Sequence, residues 1–293
     1  MTEPQNWCID NFYIGKKIGS GQFGSVYLVK EKRNNFVLAI KMIRKNYIKE
    51  NDLHNQLKRE IEIHSHLLHP NILRLYGYFH DKERVYLMVE LATKGELYED
   101  IQKYGRYINE RAATYMHQLA LALKYCHERH VMHRDIKPEN ILIGSKGQCK
   151  LADFGWSVHY KTGVRNTMCG TLDYLAPEMV EQDSYTFEID IWCLGVLLYE
   201  MLTKSVPFED PSEQKTMERI KSVEFAVPDF VNPNASDMIK KILVMNPKAR
   251  LSLDQIIQHP YIDEFSEKVT DDCQASRLMW AAGLNNLPDK ENH

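Results

Sequence analysis

The chain is poor in anything that would cross-link it or carry it into a membrane. Its six cysteines, Cys8, Cys126, Cys149, Cys169, Cys193 and Cys273, are scattered without a single C-x-x-C pair. That spacing argues against a disulfide framework or a zinc site and for reduced thiols in the cytosol or nucleus. No apolar run approaches the roughly 18 residues a membrane span needs, and no basic-then-apolar leader opens the chain, so neither insertion nor secretion is expected. Excess charge of one sign is missing too. A net charge of −3 gives no basis for a general affinity for nucleic acid or anionic lipid. Internal repeats and low-complexity tracts are also lacking. What remains, 293 residues with 44% hydrophobic and 26% charged content, suits a soluble globular protein of one large or two modest domains.

One stretch organises the rest: His133-Arg134-Asp135-Ile136-Lys137-Pro138-Glu139-Asn140. It brings a carboxylate, an ammonium, a guanidinium and a carboxamide together within one loop. The octapeptide resembles the H-R-D-L-x-x-x-N catalytic loop of protein kinases, and that resemblance implies that Asp135 orients a substrate hydroxyl and accepts its proton while Asn140 binds Mg²⁺. Pro138 stiffens the turn between them, and Ile136 can anchor the loop in a core. The alternative is an ordinary polar loop.

Residues 1–11 read as a short polar leader. From Phe12 to about Arg44 the pattern alternates and is rich in β-branched and aromatic residues, as strands are. Gly19, Gly21 and Gly24 lie in the first turn, Gly19-Ser20-Gly21-Gln22-Phe23-Gly24, where bare backbone N–H groups can close over phosphates. The same G-x-G-x-x-G spacing opens dinucleotide sites, but here Val26 starts a second strand-like run, which favours a hairpin lid. Val26 would then pack on the adenine. Leu38-Ala39-Ile40-Lys41 puts one lysine in an apolar strand, where an unpaired ammonium would be costly. Glu60, on a helix expected over about 54–67, is the partner read for it, with Leu57, Ile61, His64 and Leu68 on the inner face and Glu62 outward. Lys41 would also reach the α/β-phosphates; the alternative is a snorkelling surface lysine.

Arg84 to Leu91 reads as a strand running into the break Thr93-Lys94-Gly95, a hinge between two lobes. Val89 would back the nucleotide pocket, and the backbone of Glu90 and Ala92 would bind the adenine edge. Beyond it the chain turns helical, with core stripes over Glu96 to Lys103 and Glu110 to His130. Two short apolar runs, Ile141-Leu142-Ile143 and Cys149-Lys150-Leu151-Ala152, precede Asp153-Phe154-Gly155. Asp153, at a strand end near Asn140, completes an oxygen-ligand metal site suited to Mg²⁺. The loop from Asp153 to Glu178 is long enough to be functional in its own right. Phosphate on Thr167 would add about −1.5 to −2 charges, and Arg59, Arg134 and Arg165 are the cage read for it, tying loop charge to Asp135 and to the Lys41 partner. The alternative is an unmodified threonine. Thr171 could touch Asp135 and Lys137, lining the peptide platform. Phe187 to Leu202 is nearly continuously apolar and reads as a buried central helix. Asp190 at its start could cap the loop's N–H groups, and Arg250 could pair with Glu178. Smaller helices are expected to about Ile262, followed by a polar tail over 263–293. Its Lys290-Glu291-Asn292 matches a degradation-signal tripeptide.

Taken in order, the glycine loop, Lys41, Glu60, His133-Arg134-Asp135, Asn140, Asp153-Phe154-Gly155, Ala176-Pro177-Glu178, Asp190 and Arg250 resemble the eukaryotic protein kinases over roughly residues 12–262. The resemblance implies an α+β bilobal fold with a β-rich N-lobe over 12–91 and a mainly helical C-lobe over 92–262. It also implies use of ATP and Mg²⁺, with Ile18, Ala39 and Glu139 joining the nucleotide-binding residues above. Asp153-Phe154-Gly155-Trp156-Ser157-Val158-His159, Cys169-Gly170-Thr171-Leu172-Asp173-Tyr174-Leu175, Glu60-Ile61-Glu62-Ile63 and His69-Pro70-Asn71-Ile72-Leu73-Arg74-Leu75-Tyr76 resemble the Aurora mitotic serine/threonine kinases. Tyr160-Lys161 departs from their usual Ala-Pro, Ala176 from their usual Pro, and their N-terminal extension is nearly absent. Gly77 resembles the A type, bound by a spindle-targeting activator. Glu96 and Met168-Cys169 resemble the B type, bound by the inner centromere protein.

The family further implies transfer to serine or threonine with arginine two residues before, activation at Thr167, and a location in cytoplasm and nucleus, at spindle, centrosome or centromere. Glu96, Glu139 and Glu200 are acids suited to such an arginine, and Thr167 itself has Arg165 two before it. Lys137 suits serine/threonine rather than tyrosine transfer and can neutralise the γ-phosphate. The competing classes are a pseudokinase scaffold, another basophilic serine/threonine kinase, and a small-molecule kinase on the same fold. No piece of the catalytic set is lacking, and a small substrate needs neither the A-P-E segment nor the platform at Thr171.

Overall fold

The computed structural model describes residues 7–21, 24–159 and 171–267. Three strands come first, β1 (Phe12–Gly21), β2 (Gly24–Glu31) and β3 (Val37–Arg44), followed by the short helix α1 (Lys45–Glu50) and the longer α2 (His54–Ser65). Strands β4 (Leu75–His80) and β5 (Arg84–Val89) complete an antiparallel sheet of order β1-β2-β3-β5-β4. Register places Val26 opposite Lys41 and Ala39 opposite Val89, so the glycine hairpin, the lysine strand and the hinge strand share one surface. Gly24 answers a steric need, not only a ligand's. A Cβ there would sit 2.0 Å from the Met42 carbonyl oxygen of the neighbouring strand.

α2 differs from its expected face. Glu60, Ile63 and His64 are the buried positions, Ile61 is half-buried, and Leu68, read as an inner residue, is 62% exposed. The helix ends at Ser65, so Leu68 lies in the following turn and no longer follows the 3.6-residue period. Helix α1 and strand β4 were not expected from the sequence pattern. The first is only six residues long. The second, Leu-Tyr-Gly-Tyr-Phe-His, buries Leu75 and Phe79 but is bent by a register shift at Gly77.

The remainder is mainly helical: α3 (Leu97–Tyr104), α4 (Asn109–His127), α5 (Pro177–Val180), α6 (Glu188–Thr203), α7 (Glu213–Ser222), α8 (Pro233–Ile242), α9 (Leu253–Ile257) and α10 (Pro260–Phe265). Between α4 and α5 run β6 (Val131–Met132), β7 (Ile141–Ile143), β8 (Cys149–Leu151) and β9 (Val158–His159), which form two small ribbons, β6-β9 and β7-β8. α6 is buried from Ile189 to Leu202 and is the axis of the largest apolar cluster, which α4 and α8 complete. Each Leu or Ile side chain fully buried there is worth about 1.5–3 kcal/mol. The β7-β8 ribbon is stitched to the sheet side. Leu73 N–H donates to the Leu151 carbonyl at 2.9 Å, and Leu151 N–H to the Asn71 carbonyl at 2.8 Å. Lys150 Nζ lies 2.7 Å from Glu90 Oε1, tying the ribbon to the first hinge residue. The architecture is α+β, a sheet lobe over a helical lobe. Among the described residues no helix is long and apolar enough to cross a membrane.

Candidate active site

The loop after β6 carries the central carboxylate. Asp190, wholly buried at the start of α6, accepts from His133 N–H at 3.0 Å and Arg134 N–H at 2.8 Å. His127 Nε2 meets it at 2.8 Å from α4. Burial opposes its ionisation, but the His127 hydrogen bond leads the attractions that outweigh it, so its pKa is lowered. Held this way, Arg134 adopts a left-handed φ of 70°, a conformation a side-chain-bearing residue keeps only when its surroundings impose it. His133, turned inward, meets the Ala152 carbonyl at 3.0 Å through Nε2.

Asp135 is therefore presented on a fixed backbone. Asn140 Nδ2 donates to its Oδ2 at 2.7 Å, and Lys137 Nζ lies 3.2 Å from its Oδ1. Lys137 also donates to Thr171 Oγ1 at 2.9 Å, so Thr171 is joined to Asp135 through the lysine and not directly. Pro138–Asn140 forms a 3₁₀ turn that carries Asn140 back to Asp135. Ala152 N–H donates to the Asn140 backbone carbonyl at 2.8 Å, which brings the start of Asp153-Phe154-Gly155 alongside.

Asp153 also has a left-handed φ, 58°, with its Oδ1 accepting from Gly155 N–H at 3.1 Å. Its Oδ2 is 4.0 Å from Lys41 Nζ, and Lys41 lies 3.3 Å from Glu60 Oε1. Burial pulls against the charge on Lys41, but the Glu60 and Asp153 carboxylates more than compensate and hold its pKa above the usual lysine value. Burial likewise opposes charge on Asp153, and Lys41 followed by the Gly155 N–H brings its pKa down. Phe154 is wholly buried between His64 (ring centroids 4.8 Å apart) and His133 (5.0 Å, edge-on).

The other residues read from the sequence distribute as follows. Ile18 and Val26 lie on the hairpin above the cleft, while Ala39 and Val89 are buried beneath it. Glu90, Ala92 and Glu96 follow the hinge, with Glu96 bridged to Leu142. Glu96 is pushed up in pKa by burial and then by the Glu99 and Glu139 carboxylates. Glu200, buried on α6, is raised by burial and also feels Glu139, although the Tyr174 hydroxyl that donates to it acts the other way. The three acids thus share one region. Arg59 is exposed on α2. Arg134 Nε donates to the Trp156 carbonyl at 2.7 Å and Nη1 to the Tyr185 hydroxyl at 3.0 Å. Arg250 forks Glu178, with both oxygens at 2.7 Å. Thr167, Arg165, Tyr160-Lys161, Met168-Cys169 and Lys290-Glu291-Asn292 lie outside the described residues.

Sequence reasoning passed over Gln56, whose Nε2 donates to the Gly155 carbonyl at 2.9 Å. It also passed over Tyr185, His127, and the Lys150–Glu90 pair. Two carried a signal: Gln56 in its place one helical turn before Glu60, and Lys150 as a charge inside the apolar run Cys149-Lys150-Leu151-Ala152.

A cleft that sets a carboxylate, a lysine, an amide and a second carboxylate between a glycine hairpin and a helical base suits phosphoryl transfer. Comparisons with known proteins agree. Residues 12–262 match the family model of the protein kinase domain. The chain is 51% identical over 265 residues to Aurora kinase B-A of Xenopus laevis, covering 90% of this chain and 73% of that protein. It is 50% identical over 265 residues to Aurora kinase A-A of the same organism (90% and 65%) and 49% identical over 265 residues to Aurora kinase B of Mus musculus (90% and 77%). A- and B-type relatives are equally similar, so identity does not separate the two. A protein kinase domain transfers phosphate from ATP with a divalent metal to protein substrates. The chain belongs to the protein kinases and, within them, to the Aurora family of mitotic serine/threonine kinases.

Proposed function

We propose that this kinase transfers the ATP γ-phosphate, with Mg²⁺, to serine or threonine in basic sequences with arginine two residues before the target. The carrying observation is the linked set Lys137–Asp135–Asn140 with Asp153 beside it. Asp135 orients and deprotonates the hydroxyl, while Lys137 neutralises charge on the transferring group. Asn140 and Asp153 would hold Mg²⁺. The Asn140 amide nitrogen is turned to Asp135, which leaves its oxygen for a hard cation, and Asp153 adds carboxylate oxygen. The metal, when bound, offsets the negative charge of the phosphates. Glu60 orients Lys41 toward the α/β-phosphates. Ile18, Gly19, Gly21, Gly24, Val26, Ala39, Val89, Glu90, Ala92 and Glu139 enclose the rest of the nucleotide.

The arginine preference is supported by Glu96, Glu139 and Glu200: burial first raises Glu96 and Glu200, and both also feel the Glu139 carboxylate. A cation entering among them relieves the repulsion from Glu139. Activation by phosphate on Thr167, caged by Arg59, Arg134 and Arg165, fits the placement of Arg134 between Asp135 and Trp156. Because Thr167 has Arg165 two before it, the loop is a substrate for a second copy of the kinase, and self-modification runs in trans. An activator or scaffold protein of the spindle or inner-centromere type fits the sheet lobe. There Phe36, Val37, Tyr76 and Tyr78 are all more than two-fifths exposed, and a shallow, mainly apolar depression lined by Ile43, Ile48, Leu53 and Leu57 lies between α1 and α2. Spindle, centrosome or centromere is the location consistent with such a partner. The lobes divide at residues 91–92, with 1–11 as leader and 263–293 as tail.

Turnover of ATP with an Arg-x-Ser peptide, compared between the parent and Asp153→Asn, tests the central assignment. Loss of about a thousandfold or more is expected for removal of a metal-binding charge. Retained turnover would sink it. Arg165→Ala should slow self-phosphorylation at Thr167, and an unchanged rate would remove the trans reading.

A further inference from the structure

Gln56 and Glu60 leave α2 one turn apart on the same face, and each is bound to a different segment beside the cleft. Glu60 meets Lys41 at 3.3 Å, and Lys41 stands 4.0 Å from Asp153. Gln56 Nε2 donates at 2.9 Å to the carbonyl of Gly155. The tripeptide between these contacts is tightly determined. Asp153 holds φ at 58° and folds its Oδ1 back onto the Gly155 N–H at 3.1 Å, while Phe154 is packed between the rings of His64 and His133. A Cβ added at Gly155 would lie 3.0 Å from Asp153 Oδ1, 3.5 Å from Glu60 Oε2 and 3.9 Å from Gln56 Nε2. Three side chains from two elements therefore converge on one glycine, and that glycine's N–H and C=O are both taken by them.

We propose that Gln56 is a positioning residue. Its grip on the Gly155 carbonyl holds Asp153 in the left-handed conformation, so the Asp153 carboxylate faces the nucleotide only while α2 is docked. A left-handed non-glycine residue is strained by about 1–3 kcal/mol and reverts unless its neighbours over-determine it. The Gly155 N–H to Asp153 bond travels with the tripeptide and cannot anchor it, whereas the bond from Gln56 comes from a separate element. One face of α2 then sets two reacting groups at once: Glu60 sets Lys41 and Gln56 sets Asp153.

The inference rests on the reading of Asp153 as a metal ligand. Its test uses the full chain with two substitutions: Gln56→Met, which keeps length and packing without the donor, and Gln56→Glu, which at neutral pH sets an acceptor against the carbonyl. For Gln56→Met, kcat should fall about tenfold, the scale of one hydrogen bond, with the peptide KM unchanged and half-saturating Mg²⁺ raised; Gln56→Glu should lose more. In nucleotide-free protein, amide exchange over residues 153–157 should quicken by about tenfold in Gln56→Met while α6 is unchanged. Two results would overturn the proposal. One is Gln56→Met matching the parent in kcat and exchange. The other is exchange rising equally throughout α2, which would make the bond a prop for the helix alone. Asp153→Asn, run alongside, separates the failures: if it is inactive while Gln56→Met is silent, only this inference falls, and if it turns over, the metal assignment falls with it.

Discussion

On the helical side of the cleft, Asp190 is wholly buried and accepts from two backbone N–H groups and from His127, and Arg250 forks Glu178 behind it. On the sheet side, Lys41 meets Glu60 at 3.3 Å with its side chain 17% exposed, and Asp153 keeps a left-handed φ of 58°. Asp135 and Asn140 belong to the first kind of construction, Lys41 and Asp153 to the second. A buried, many-bonded polar network costs several kcal/mol to break, so it holds one arrangement. The Lys41–Glu60 pair and the Asp153 tripeptide are instead held by contacts between separate elements, Lys41 to Glu60 and Gln56 to Gly155. On the roles proposed above, the base is thus held in one arrangement, while the groups proposed to steer phosphate and metal depend on the docking of α2. That division is what a switchable transferase requires.

The comparison breaks most visibly at Glu178. Glu178→Gln leaves the Arg250 guanidinium buried against a neutral partner and should cost about 3–5 kcal/mol in urea unfolding. A cost below about 1 kcal/mol would show that the helical side is not rigid in the way described.

His64 probes the boundary between the two sides. Burial brings its pKa down from 6.5 to about 4, against the opposing bond to the Leu73 carbonyl. The unfolded chain therefore takes up a proton between pH 6.5 and 4 that the folded chain refuses, and stability is lost as pH falls through that window. His64→Gln should flatten this slope, removing a pH-dependent loss of about 3 kcal/mol as read by unfolding midpoints across the range.

Glu60→Gln sharpens the contrast from the adjustable side. Because the Asp153 carboxylate still faces Lys41 at 4.0 Å, its stability should fall by less than that of Glu178→Gln, while kcat/KM falls about 10–100-fold, measured on the same preparation. An equal loss of stability would mean the pair is structural. The smallest effect is expected at the hinge. Lys150→Met frees the Glu90 side chain, held at 2.7 Å, and should raise the KM for ATP by about 2–5-fold with kcat nearly unchanged.

Much of this was legible in the residues. Alternation marked β1 to β3 and β5, and the continuous apolar run marked α6, because burial on one face or all round leaves a periodic trace. The Lys41–Glu60 pair was legible because a charge set in an apolar segment demands a partner; Asp190 with its loop and Glu178–Arg250 were read as partners too and are found so. Leu68 misled because a helical period was carried past the helix end. Gln56, Tyr185 and His127 stayed hidden because each acts on a partner distant in sequence, which only the fold brings alongside.

By itself the amino-acid order determined which groups are available: a base, a lysine, an amide, a second acid, and the glycines and apolar runs that let strands and helices carry them. That information is local, fixed by side-chain chemistry and short-range periodicity. Only the tertiary structure decided which groups are clamped and which can move. That depends on burial and on bonds spanning as many as ninety-nine positions, as between Gln56 and Gly155, which no spacing along the chain encodes.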